Sequence, residues 1–363
     1  MKRSMLISLF SLIIFSFGFK LNLGETDSIS KIYLIGSTLI RTTPGSDIRL
    51  YDIENPASPR QLSTITIADN HDVAVESHYM YADDGQNLTV YDIADKTKPV
   101  PVDTVVGTFD HYLVGMPVDN MPESGFSGCN SCGRQEETVA PTVLDGATSG
   151  QGGSLARFAI IDHYLYCVNT YNLTIYDISD PAKPVQSSVT NIGWDIETIF
   201  ADGDRLFIGG QRGMYIFSIT DRTHPTEISQ FQHARSCDPV VVDGNRAYVT
   251  LRSGSACGSN GDQMDILDIT NIENPVLIKT VNLSGPYGLA VRDSMAIVCD
   301  GVAGLKILDV HNPANVRQIG TVTGITPYDV ILSGNLLIVT AESGFYLYDV
   351  SKLDKPVLYT KLM

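Results

Sequence analysis

Basic residues are the scarce charge in this chain: 25 Lys and Arg stand against 41 Asp and Glu, a formal net charge of −16. A chain of that sign repels phosphate backbones, which argues against a nucleic-acid partner. Charged residues of both signs make up only 18% of the sequence and hydrophobic ones 43%, so disorder is excluded as well. Helical periodicity is absent beyond the N-terminal segment. Long apolar runs are absent except for residues 5–19, and no other stretch is apolar enough to span a bilayer. Enzymatic signatures are missing too. There is no Gly-x-Ser-x-Gly elbow and no glycine-rich phosphate loop leading into a helix. A Ser/His/Asp arrangement needs only proximity in space, and nothing in the sequence points to one.

What is present begins with a leader. Lys2 and Arg3 precede the apolar run and Lys20 ends it. A basic start followed by roughly 7–15 apolar residues reads as a secretory signal peptide. Residues 1–18 are therefore expected to be removed, with cleavage between 18 and 24: Ser16 and Gly18 are suitably small, and Asn22-Leu23-Gly24 offers a second site. The alternative is an uncleaved N-terminal anchor. No cysteine lies near the end of the run, so a lipid anchor has no attachment residue. The expected location is outside the cytoplasm: periplasm, cell surface or secreted.

After the leader, glycine and proline (31 Gly and 17 Pro in the whole chain) punctuate a repeat. One phrase recurs as Tyr51-Asp52-Ile53, Tyr91-Asp92-Ile93, Tyr176-Asp177-Ile178, Phe217-Ser218-Ile219, Leu267-Asp268-Ile269, Leu308-Asp309-Val310 and Tyr348-Asp349-Val350, at intervals of 40, 85, 41, 50, 41 and 40. Seven residues after the Asp or Ser comes Pro59, Pro99, Pro184, Pro225, Pro275 or Pro356, and Val316 is the one exception. Proline there directs the chain into a new extended segment after a turn. A period near 40 marks stacked supersecondary units. Within each unit the pattern resolves into four short β-branched and aromatic strands separated by turns such as Asp202-Gly203-Asp204, Asp243-Gly244-Asn245 and Ser333-Gly334-Asn335. Four antiparallel strands repeated radially predict an all-β fold, a seven-bladed β-propeller of four-stranded antiparallel blades. It is expected to form a single domain over 29–363. Two intervals carry insertions, one at about 107–153 containing Cys129-Asn130-Ser131-Cys132, and a shorter one at 253–263.

Phrases such as Leu173-Thr174-Ile175-Tyr176-Asp177-Ile178-Ser179-Asp180-Pro181-Ala182-Lys183-Pro184 resemble the LVIVD repeat family of exported bacterial proteins. The resemblance covers nearly all of the chain after the leader. It implies a propeller and an envelope or extracellular location, and it implies no chemistry. Many members look like lipoproteins, a feature this chain lacks the cysteine to share. A single tryptophan, Trp194, cannot supply the repeated tryptophan docking of quinoprotein propellers, and sialidase aspartate boxes are absent.

Two carboxylate sets stand out. The aspartates of the recurring phrase each end a third strand, where Asp accepts backbone N–H bonds, and they read as structural. A second set enters the first strands, which line a propeller's central channel: His71, Asp72, Arg157, Trp194, Asp195, Cys237, Asp238, Tyr287, Tyr328 and Asp329, with Arg235 nearby. Asp72, Asp195, Asp238 and Asp329, with Glu197, could hold a hard cation such as calcium, or equally could bond backbone amides of neighbouring loops. No other cofactor is expected. Cys129 with Cys132, and Cys237 with Cys257, are expected to form disulfides, while Cys167 and Cys299 lie in second strands and read as core.

The functional expectation is a monomeric, non-catalytic binding or scaffold protein whose partner is a protein or surface glycan. The alternative is a metal-dependent hydrolase or lactonase at the channel mouth. Connections from a fourth strand to the next first strand, and from second to third, share one face of a propeller. Both insertions are connections of those kinds, so both are expected on that face, beside the aromatic and Arg residues that dominate binding energy.

Overall fold

The computed structural model describes residues 29–43, 45–109, 149–193, 196–232, 239–253 and 261–362. Their strands form seven sheets arranged as a β-propeller, each sheet holding four antiparallel strands that follow one another in sequence. We label the blades 1–7 in chain order and the strands of each a to d from the channel outward. Blade 1 covers residues 32–66, blade 2 73–105, blade 3 158–191, blade 4 196–232, blade 5 240–282, blade 6 289–322 and blade 7 327–362. Strands a to c are almost wholly buried, while strand d alternates between half-buried and exposed.

The recurring phrase explains the geometry of each blade. Its Tyr, Phe or Leu, buried in six blades and half-buried at Tyr91, ends strand c beside a register shift that occurs at the same point of the c–d ladder in all seven blades. Such bulges bend and twist the outer strand. The Asp that follows turns the chain. Asp92, Asp177, Asp268 and Asp349 each accept the N–H two residues on at 2.8 Å, Asp52 does so at 3.0 Å and Asp309 at 3.1 Å. Ser218 takes the same place with its hydroxyl. Proline or Val316 then leads into strand d. At the a–b turns, Gly203 and Gly334 adopt positive φ, as two-residue hairpins of this hand require.

Adjacent blades meet through apolar clusters rather than shared strands. Ile32, Leu34 and Tyr51 of blade 1 pack on Ile331, Ile338 and Phe345 of blade 7. Polar staples supplement them: Tyr81 Oη donates to Pro181 O at 2.9 Å, Tyr166 Oη to Arg222 O at 3.0 Å and Ser63 Oγ to Lys96 O at 2.7 Å, each from one blade to the next. Cys167 and Cys299 are buried in strands b with no disulfide. No helix among the described residues is long and apolar enough to cross a membrane.

One feature departs from the sequence-based expectation. The insertion at about 107–153 was expected as a loop leaving and rejoining a single face. Phe109 does lie on the face of the d–a and b–c connections, where its N–H donates to Gln86 O and its ring stacks on Phe158. Ser149, however, bridges Glu76 at the far end of strand a of blade 2, beside the a–b turns. Gln151–Gly152 then pairs antiparallel with strand a of blade 1, as a fifth and innermost strand of that sheet. From that face residues 149–153 climb the channel, a distance of roughly 13 Å along a four-residue strand. Residues 149–153 belong to the propeller. Glycine and serine made them read as loop.

Candidate functional site

The first strands position the channel mouth. The residue just before strand a is Lys31 in blade 1, Asp72 in blade 2 and Arg157 in blade 3, and the matching position in blade 7 is Asp329. All four are buried. Asp72 and Asp329 flank Lys31, and the ammonium acts on both carboxylates. Each carboxylate is also a backbone receptor. Asp72 accepts the N–H groups of Arg157 at 2.5 Å, Phe158 at 3.1 Å and Val73 at 2.8 Å. Asp329 accepts Ser154 N at 3.1 Å, Ser154 Oγ at 3.0 Å, Leu155 N at 3.4 Å and Val330 N at 2.9 Å. Burial pushes the Asp72 carboxyl up to about 6 against the opposing pull of Lys31 and these amides, and burial likewise raises that of Asp329. Of the two expectations for these carboxylates, cation or amides, the contacts formed are with amides. Among the described residues no three His, Cys, Asp or Glu side chains are grouped to hold a metal.

His71 packs beside Asp83, its backbone N–H donating to that carboxylate at 2.6 Å. Trp194, Asp195, Arg235, Asp238 and the cysteines Cys129, Cys132, Cys237 and Cys257 lie outside the described residues. Glu197 is buried near the mouth on blade 4, its carboxylate 3.4 Å from Gln211 Nε2.

Tyr287 and Tyr328 come together on the loop-bearing face between blades 6 and 7. Their rings meet edge to face with centroids 5.0 Å apart. The guanidinium of Arg252 sits 4.1 Å above the Tyr287 ring, a cation–π contact. Thr250 Oγ1 donates to Tyr287 O at 2.6 Å and Gly288 N to Tyr328 O at 2.8 Å, so the backbone carbonyls of the pair are held from two blades. Both tyrosines are half-buried. Arg252 lies at the foot of the shorter insertion, where Ser253 N donates to Asp262.

Inside the channel, residues 150–154 occupy the side facing blades 1, 2 and 7. Beside them a cavity of about 260 Å³ is left against Ile160, Phe200, Val241, Val291, Val330 and Leu332. Sequence reasoning missed Lys31, Ser154 and Arg252. Aligning Lys31-Ile32 with Asp72-Val73 and Arg157-Phe158 would have placed Lys31 in the ring; nothing local marks Ser154.

Seven complete blades around a channel lined by their first strands define a seven-bladed β-propeller. Three of its blades, 2, 3 and 6, match the LVIVD repeat at residues 68–106, 152–191 and 288–324, which supports membership of the LVIVD-repeat proteins. No curated protein sequence matches it. Among solved structures it is similar to a functionally unknown protein of Desulfotomaculum acetoxidans, at 15% identity over 91% of this chain and 94% of that one, TM-score 0.56. BamB of Moraxella catarrhalis is similar at 10% identity over 86% and 81%, TM-score 0.55, and Hsv2p of Kluyveromyces lactis at 12% over 90% and 94%, TM-score 0.52. At these identities the likeness is one of fold.

Proposed function

We propose that the protein is an exported, non-catalytic binding propeller that engages a protein or surface glycan on its loop-bearing face. The observation that carries this reading is the Arg252–Tyr287–Tyr328 cluster. Its two tyrosines are half-buried and held through their backbone carbonyls, its arginine is buried against Tyr287, and it is set at the foot of an insertion. Aromatic rings and arginine provide most of the energy at binding hot spots, and rigid placement limits the entropy lost on binding. The leader supports export. A hydrolase at the channel mouth is the less favoured reading, because Asp72 and Asp329 already serve protein amides and a lysine.

Crosslinking in the native cell envelope followed by mass spectrometry identifies the partner. The double variant Tyr287→Leu/Tyr328→Leu keeps apolar volume while removing both rings. It is expected to weaken binding of that partner at least tenfold with little change in melting temperature. Unchanged binding, or crosslinks that map to the a–b turn face, would place the site elsewhere. Stoichiometric metal in the purified protein would restore the hydrolase reading.

A further inference from the structure

The two ends of this ring share no strand. Blade 7 is built wholly from residues 327–362 and the four consecutive strands of blade 1 from 32–66, so no blade combines the two ends of the propeller. The segment 149–157 touches most of the ring instead. Ser149 bridges Glu76, and Gly150 N donates to Val75 O, both on blade 2. Gln151–Gly152 pairs with blade 1, and Gly153 N donates to Ile32 O. Ser154 and Leu155 donate to Asp329 on blade 7, while Ser154 Oγ accepts Leu289 N from blade 6 at 2.9 Å. Leu155 O accepts Lys31 Nζ at 2.8 Å, and Ala156 O accepts Ile199 N from blade 4. Arg157 N reaches back to Asp72.

We infer that the channel wall of blades 1, 2 and 7 is a binding site for an extended, glycine-rich peptide strand, filled in cis by residues 149–157, which thereby clasp the ring shut. The recognition chemistry is that of a peptide backbone. Two buried carboxylates and two strand carbonyls take N–H groups, and one buried ammonium takes a carbonyl. Side chains are excluded at two of its positions. A Cβ at Gly150 would stand 2.3 Å from the Tyr33 ring and one at Gly153 2.0 Å from the Asp329 carboxylate, both inside contact distance. The glycines that look like a flexible linker in sequence are therefore the specificity of the site.

The clasp joins two unequal parts. Blades 1 and 2 precede residues 110–148, and the clasp with blades 3–7 follows them. A specific protease site placed within 110–148 of the full chain lets the purified protein be nicked after folding. Two midpoints are then read in a denaturant series: separation of the fragments by size-exclusion chromatography, and loss of β-structure by circular dichroism. In the nicked wild type the two are expected to coincide. In nicked Gly153→Ala, or in the milder Ser154→Ala if the first fails to fold, separation is expected at clearly lower denaturant than unfolding. Ile307→Val, in the core of blade 6 away from the channel, should lower both midpoints together. Separation of the nicked wild type without denaturant would overturn the inference. So would coincident midpoints in the clasp variants.

Discussion

Removing the Asp329 carboxylate is the sharpest perturbation the channel offers. Asp329→Ala deprives Ser154 N, Leu155 N, Val330 N and the Ser154 hydroxyl of their common acceptor in a buried site. A buried donor left unsatisfied costs about 1–3 kcal/mol. Two of the four are strained candidates for full value, since Leu155 is at 3.4 Å and Val330 bonds within its own residue pair. Lys31 also loses one of its two neighbouring carboxylates, and breaking a buried charge pair costs about 3–5 kcal/mol. Against these stands the relief of burying a carboxylate, the cause of its raised pKa. The net expectation is a loss of roughly 3 kcal/mol in urea unfolding at pH 7. Asp349→Ala, in the same blade, removes one acceptor for Ser351 N at an exposed turn and should shift the midpoint far less. Equal effects of the two substitutions would refute the distinction between the structural turn aspartates and the channel aspartates.

Other outcomes follow from the same contacts. The Asp72 carboxyl, moved from 3.8 to about 6, holds its proton more tightly folded than unfolded, so the wild type should gain stability over Asp72→Asn as pH falls from 7 to 4. That gain is bounded at about 3 kcal/mol, and denaturation curves of the two proteins across this range should diverge on the acid side. Cys167 and Cys299 are buried and their thiols are pushed well above the ordinary range, so alkylating reagents should modify them only after unfolding. We propose disulfides Cys129–Cys132 and Cys237–Cys257. The second closes about 20 residues and contributes about 3 kcal/mol, and non-reducing peptide mapping should recover both bonded peptides.

The blades were legible in the sequence because each repeats a local device with its own mechanism. Asp177 turns the chain through its own side chain, Pro184 starts the outer strand, and Gly203 supplies the hairpin turn. Those signals need no tertiary context. The channel was legible only in part. Asp72, Arg157 and Asp329 could be placed at its mouth by alignment of the units, but the partners that join them across the channel come from residues 85 or more away in sequence. The clasp was illegible because its glycines and serine carry no periodicity. Gly153 is required by the Asp329 carboxylate against it, a contact between chain segments 176 residues apart that no local pattern encodes. Arg252 was missed for the same reason: its stacking on Tyr287 joins blade 5 to blade 6.

Native-state hydrogen exchange over residues 149–157 tests most directly whether this stretch is part of the propeller or a loop beside it. The N–H groups of Gly150, Gly153, Ser154, Leu155 and Arg157 are bonded to blades 1, 2 and 7, so their exchange should be as slow as that of the buried strand Val73–Glu76. Exchange as fast as at the exposed Val302 turn would contradict a channel-bound segment and with it the closure of the ring by residues 149–157.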